Sequence, residues 1–377
     1  MKLIFLNGSR GEWGYIRPII DLCRERAIDY GICATNMLLL PGHGMLVEEI
    51  RGEGYVVSDE IFMSLEGHNH FTMVKSLSVF LASFIDTLRR EKPDWVVLAG
   101  DRGEQLMGAI AAAYTYTPVA HIQAGERSGN IDGVARHAIG KFVHLHFAAN
   151  QDAVDRLVRL GEEPFRIYNV GAPQLDELVR CAIPSRTEIA RKLNLPADRD
   201  FLLVVQHPVT EEMDAAAGQV GALSDALGRL DLPKVWILPN NDAGADVVRR
   251  SLLQSRGRDT LIFDNLSRLD YLGLLKHCRA IVGNSSSGLL EAPTFATPAV
   301  NIGRRQADRV QGANVINAPF EAPVIEQSIR WAISDDFRAS IAACANPYGD
   351  GNSAERIVDI LQNTRIDDRL LVKRLAY

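Results

Sequence analysis

Short apolar runs alternate with amphipathic stretches along almost the whole chain. The runs are near-continuous in Val, Ile, Leu and Ala, the composition of a parallel strand buried on both faces. They predict strands at Lys2–Leu6, Tyr30–Thr35, Trp95–Ala99, Pro118–Ile122, His146–Ala149 and Ile167–Val170. A second series follows at Phe201–Val205, Val235–Leu238, Thr260–Phe263, Ala280–Val282 and Ala299–Ile302. Segments of helical period separate them, for example Thr72–Arg90 and Glu104–Tyr114. Alternation of this kind predicts an α/β fold with parallel sheets and helices on their faces. The regularity lapses at Gly171-Ala172-Pro173 and resumes after Pro184-Ser185. Two Rossmann-like, doubly wound domains facing a central cleft are therefore expected, over residues 1–175 and 176–352. The amphipathic stretch Ser353–Gln362 fits either domain by its pattern alone.

Ligands of doubly wound sheets bind beyond the carboxyl ends of the strands, which directs attention to five loops. Asn7-Gly8-Ser9-Arg10-Gly11-Glu12-Trp13-Gly14 follows the first strand, and its glycines and Arg10 suit a phosphate as well as they suit an ordinary βα turn. Gly100-Asp101-Arg102-Gly103-Glu104 offers a carboxylate and a guanidinium at a strand end, where Asp101 is either catalytic or the N-cap of the next helix. The stretch from His121 to His137 carries Gln123, Glu126, Asp132 and Arg136. Such complementary polar groups suit proton transfer, and a solvated loop with Asp132 as an N-cap is the bland alternative. Gln206-His207-Pro208 places a histidine at a strand tip, and Pro239-Asn240-Asn241-Asp242 reads as a turn. Gly283-Asn284-Ser285-Ser286-Ser287-Gly288 leads into a helix carrying Glu291, a combination that suits an anion and a pair of vicinal hydroxyls. Gly303-Arg304-Arg305 and Arg309 add an arginine cluster beside it.

Composition narrows the partners. The chain has 377 residues, 41 Lys+Arg against 47 Asp+Glu, and a net charge of −6, which leaves no basic footprint for nucleic acid. Its five cysteines are scattered without a CxxC, which argues against a disulfide framework and fits a reducing, cytoplasmic setting. No run of about 18 apolar residues is evident, so no membrane span is expected. Neither GxGxxG nor a Walker lysine is present, and His121, His137, His144 and His146 match no zinc spacing. No metal and no cofactor is expected. The residues thus describe a two-domain α/β protein that binds a nucleoside diphosphate derivative.

Several blocks resemble one family, the hydrolysing UDP-N-acetylglucosamine 2-epimerases. They are Gly8-Ser9-Arg10 with Gly14, Gly100-Asp101-Arg102, His121 with Gly125-Glu126, and Ile131-Asp132 with Arg136-His137-Ala138-Ile139. His207-Pro208, Asn284-Ser285-Ser286 with Glu291, and Arg305-Gln306 complete the set in order. The resemblance implies a glycosyltransferase-B arrangement whose C-terminal helix, within 353–377, returns to the first domain. It implies loss of UDP and the C2 proton from a UDP-linked N-acetylhexosamine, then addition of water with inversion at C2. By the same resemblance, such products are expected to feed sialic or legionaminic acid synthesis. It also places Asp101 and Asp132 on catalytic positions, and Arg10, Arg102, His207, Asn240, Ser285, Ser286, Glu291 and Arg305 on nucleotide contacts. At Gln123 some members carry a catalytic Glu. An amide cannot take up that proton, so Glu126 becomes a further candidate. The chain is expected to be a homo-oligomer, a dimer or tetramer, acting on a nucleotide sugar.

Overall fold

A computed structural model describes the chain except residues 67–69, 128–130, 197, 208, 210–211, 213–214, 239–248, 251–258, 264–265, 307 and 377, and the side chains of 43, 70, 131 and 132. The chain forms two compact units, Met1–Val179 with Tyr348–Tyr377, and Arg180–Pro347.

The first unit is built on a seven-stranded parallel sheet in the order β3-β2-β1-β4-β5-β6-β7. Its strands are β1 Lys2–Asn7, β2 Asp29–Thr35, β3 Val57–Ile61, β4 Trp95–Ala99, β5 Val119–Ile122, β6 Leu145–Ala148 and β7 Ile167–Asn169. The second unit has a six-stranded parallel sheet in the order β10-β9-β8-β11-β12-β13. Its strands are β8 Leu202–Val205, β9 Lys234–Ile237, β10 Thr260–Phe263, β11 Ala280–Gly283, β12 Ala299–Ile302 and β13 Val315–Ala318. In each sheet the winding direction reverses once, between β1 and β4 in the first and between β8 and β11 in the second.

The apolar pattern predicts every strand except β3 and β13, two of the four edge strands. An edge strand lacks one neighbour and needs less apolar surface. The sequence Val-Ser-Asp-Glu-Ile of β3 is only half-buried, and β13 is likewise partly open. The connection after Gly171 is more ordered than its sequence suggests, with a 3-10 turn at Pro173–Leu175 and a short helix at Asp176–Arg180.

Residues 71–91 of the helix His70–Glu91 are long and apolar enough, by length and composition alone, to cross a membrane. Phe80, Phe84 and Leu88, spaced at i, i+4 and i+8, are buried against Ile4, Leu6, Val96 and Leu98 of the sheet. That packing makes the helix one layer of the first unit. The C-terminal helix Ser353–Asn363 packs Ile357, Val358 and Leu361 into the same core as the helix Arg10–Glu25. Asp176 caps it by accepting from the Ser353 and Ala354 N–H groups at 3.0 and 2.7 Å. Beyond it, the buried Arg166 donates to the carbonyls of Leu370 and Arg369 at 2.7 and 2.8 Å. Lys373 pairs with the buried Glu162, which also accepts from His146 Nε2 at 3.1 Å.

These buried groups predict a pH dependence of stability. Burial lowers His121 to about 3, and His144 and His146 to about 4. Unfolded histidines titrate near 6.5, so between that pH and about 4 the unfolded chain binds more protons than the folded one. Stability therefore falls as pH falls through this window, with a slope reaching roughly 4 kcal/mol per pH unit for three such groups. Burial would raise Glu162, but His146 and Lys373 outweigh it and bring the carboxyl down to about 2, which extends the loss below pH 4.5. Urea titrations at pH 7, 6 and 5 should show a steep drop in the unfolding midpoint of the first unit, and a flat profile would contradict the buried, neutral histidines.

Candidate active site

In the first unit the loops after β1 and β4 lie side by side at the reversal of the sheet. The first is shorter than its glycines suggest. Gly8 and Ser9 make the turn, and Arg10 already begins the helix, with Ser9 as its N-cap accepting from the Glu12 N–H at 3.3 Å. Arg10 is exposed and reaches Glu49 at 3.5 Å. After β4, Gly100 takes the left-handed conformation at φ +83°, which turns the chain sharply into Asp101. The next helix, Gly103–Tyr114, has Arg102 at its N-cap position and no side-chain cap, so Asp101 does not serve as one. The Asp101 carboxylate, 20% exposed, pairs instead with the guanidinium of Arg136.

Arg136 also joins Asp101 to the turn after β5. Its other terminal nitrogen donates to the Gln123 carbonyl at 2.6 Å. Gln123 has φ +62°, a conformation uncommon for a residue with a side chain and one that costs on the order of 1–3 kcal/mol. The Gln123 amide donates to Gln174 Oε1 at 3.2 Å. His121 Nε2 meets the Gly100 carbonyl at 2.6 Å, and its burial holds the ring neutral as a hydrogen-bond donor there. Glu126 accepts from Asn150 Nδ2 at 2.6 Å, while Asn150 Oδ1 caps the helix Gln151–Arg159. Asp132 lies in the first turn of the helix Ile131–Phe142, four residues before Arg136, and its side chain is outside the described set.

In the second unit, Asn284 joins the loops after β8 and β11. Its Oδ1 accepts from the His207 N–H at 2.7 Å, and its Nδ2 donates to the His207 carbonyl at 2.8 Å. Its own carbonyl accepts from Arg305 Nη1 and Gln306 Nε2, both at 3.1 Å. His207, Ser285, Ser286 and Arg305 thus belong to one cluster of loops. The helix carrying Glu291 is shorter than expected. It spans only Ser287–Leu290, because Pro293 cannot continue it, and a 3-10 turn follows at Ala292–Phe295. So short a helix contributes little dipole. Glu291 is nearly buried, with Oε1 accepting from Arg268 at 2.5 Å and no hydrogen-bond partner for Oε2. The expected arginine cluster is divided, since Arg304 pairs with Glu212. Asn240 lies outside the described residues.

Sequence reasoning placed Arg136 in a polar stretch without naming its partner, and it assigned no role to Arg268 or Gln174. All three act through partners remote in sequence, and neither periodicity nor loop composition signals such pairings. Among the described residues no group of three or more His, Cys, Asp or Glu side chains is placed to hold a metal ion.

Two doubly wound units, each with polar loops gathered at the reversal of its sheet, define the glycosyltransferase-B class of α/β proteins. Within that class, the chain belongs to the UDP-N-acetylglucosamine 2-epimerase family, whose sequence profile matches residues 21–362. It is 33% identical over 378 residues to the UDP-N,N'-diacetylbacillosamine 2-epimerase (hydrolyzing) of Legionella pneumophila, covering 100% of this chain and 99% of that one. It is 30% identical over 346 residues to the GDP/UDP-N,N'-diacetylbacillosamine 2-epimerase (hydrolyzing) of Campylobacter jejuni, covering 89% and 88%. The crystal structure of UDP-GlcNAc 2-epimerase from Neisseria meningitidis bound to UDP-GlcNAc superposes with a TM-score of 0.82, over 97% of this chain and 100% of that one. At 19% identity that superposition shows the shared fold.

Proposed function

We propose that the protein is a hydrolysing 2-epimerase of a UDP-linked N-acetylhexosamine, either UDP-N-acetylglucosamine or a 2,4-diacetamido-6-deoxy sugar. The observation that carries this reading is the partly exposed Asp101 carboxylate, fixed at a strand end by Arg136 from the helix that also bears Asp132. The full-length similarity to the hydrolysing enzyme of Legionella supports it, and the diacetamido sugar is the better candidate on the same ground.

In this reading the loops of the second unit take the nucleotide. Arg305, Ser285, Ser286 and His207 meet the diphosphate, Glu291 Oε2 accepts from a ribose hydroxyl, and Asn240 completes the set. Arg10 and Arg102 are further nucleotide contacts in this reading. A base among Asp101, Asp132 and Glu126 removes the C2 proton as the C1–O bond breaks and UDP departs. Water then adds its hydroxyl at C1, and a proton returns to C2 on the opposite face. One water is consumed, and a free 2-epimer and UDP are released. Gln123 cannot exchange protons, so its amide serves as a hydrogen-bonding group for the sugar.

The test is incubation with each UDP sugar, without an acceptor, followed by chromatography of both products. Free 2-epimer appearing in step with UDP is the expected result. A 2-epimer still linked to UDP would replace the hydrolysing reading with a non-hydrolysing one, and no turnover of either sugar would overturn the proposal.

A further inference from the structure

The turn after β1 is braced from beneath by two buried carboxyl groups. Gly8 donates its N–H to Glu12 Oε2 at 2.5 Å, and its carbonyl accepts from the Met37 N–H at 3.1 Å. Glu104, only 2% exposed, lies directly against the Gly8 α-carbon. A Cβ at Gly8 would stand 2.9 Å from Glu104 Cδ, so no other residue fits without displacing that carboxylate. The same oxygen, Oε1, accepts from Arg102 Nε at 2.9 Å and from Asn36 Nδ2 at 3.0 Å. One buried carboxylate therefore packs against the turn after β1 and hydrogen-bonds to the segments after β2 and β4, the strands at and beside the reversal of the sheet.

Stability alone does not account for this arrangement. A buried carboxylate loses hydration, and a well-packed apolar side chain is commonly as stabilising as a buried ion pair. A negative charge beneath a turn that meets an anion also opposes that anion. What the carboxylate supplies is direction, because a hydrogen bond to Nε fixes the plane of the guanidinium as well as its position. Burial and the neighbouring Glu104 push the Glu12 carboxyl well above the usual carboxylate range.

We propose that Glu104 is a positioning residue that holds the Gly8 turn and the Arg102 guanidinium in one fixed relation, and so sets the affinity for the diphosphate of the substrate. The inference rests on the reading of Arg102 as a diphosphate contact. Glu104→Gln keeps the volume and removes the charge. It should raise KM about tenfold and leave kcat within about threefold of wild type, the signature of lost binding rather than lost chemistry. Arg102→Ala should raise KM at least as much, and the double variant should be no worse than Arg102→Ala alone, because the two act as a unit. Glu104→Asp, with its charge on a shorter stem, should fall between wild type and Glu104→Gln, and it carries the comparison should the Gln variant fail to fold. Hydrogen exchange on the free protein supplies a readout that needs no substrate, with faster exchange expected in 7–13 and 36–40 of the variant. Unchanged exchange in those segments, an unchanged KM, or losses that multiply in the double variant would each overturn the inference. A wild-type protein that turns over no UDP sugar would overturn the proposed function instead, and the exchange comparison would still decide the role of Glu104.

Discussion

Asp101→Asn is expected to lower kcat by about 100-fold or more, the scale on which a general acid or base contributes. The side chain stands at the carboxyl end of β4, on a turn set by the left-handed Gly100, and is 20% exposed, open enough to meet a ligand. Asparagine preserves its shape and can still accept from Arg136 through Oδ1, so the fold and its Tm should change little. UDP affinity should also remain near wild type, because the principal nucleotide contacts are proposed on the second unit. A loss confined to kcat thus separates chemistry from folding and from binding. Reaction in deuterated water adds a direct test, since wild type should place solvent deuterium at C2 of the free sugar. Asp132→Asn should behave like Asp101→Asn. Glu126→Gln is the discriminating comparison: Glu126 accepts from Asn150, the cap of the helix Gln151–Arg159, and a purely structural role predicts lower stability with kcat retained. If Asp101→Asn turns over at the wild-type rate with full deuterium incorporation, the proton assignment is wrong.

The parts of the fold that were legible in the sequence are those for which burial dictates composition. β1, β4, β8 and β11 lie inside their sheets with covered faces, so their residues form near-unbroken apolar runs and their ends can be read closely. The loops that follow them were legible for the same reason, because polar and glycine residues stand out sharply against such runs. β3 and β13 escaped notice because an edge strand tolerates Ser58, Asp59, Glu60 and Asn317. The helix at Ser287–Leu290 was overestimated because a glycine-serine loop before Leu289 and Leu290 resembles a longer helix start, and Pro293 ends it earlier than that start suggests. The supporting partners were hidden more deeply. Arg136 meets Asp101 across 35 positions and Asn36 meets Glu104 across 68, and only the topology of the sheet brings them together. A single sequence reveals which loops are polar, whereas the pairing of their side chains is a property of the strand order.

That dependence on strand order is sharpest at Gly283, where a single methyl group is expected to destabilise the second unit severely. Gly283 ends β11 with φ +128°, a conformation that side chains rarely adopt, and it pairs with Val205 at the end of β8. A Cβ there would meet the Val205 carbonyl, 2.7 Å from its carbon atom and 3.3 Å from the Gln206 nitrogen. These are backbone atoms of the neighbouring strand, and no rotamer change can move them. Relief requires β8 and β11 to separate at the point where the Asn284 N–H donates to the Val205 carbonyl at 3.1 Å and Asn284 Oδ1 receives the His207 N–H. The strained φ contributes about 1–3 kcal/mol and the overpacking about 1–3 kcal/mol more. Gly283→Ala should therefore cost about 2–6 kcal/mol, and at about 2–4 °C per kcal/mol for a unit of this size the melting transition should fall by roughly 5–20 °C. Because the same displacement moves Asn284, His207 and the carbonyl that Arg305 engages, calorimetry below the transition should also find weakened UDP binding. Gly221→Ala provides the control. Gly221 lies inside the helix Ala216–Gly228 with nothing within 4 Å of an added Cβ, so alanine there should stabilise by up to about 1 kcal/mol through helix propensity. A Gly283→Ala protein that melts with wild type and binds UDP equally well would show that β8 and β11 are not joined at their ends in this way.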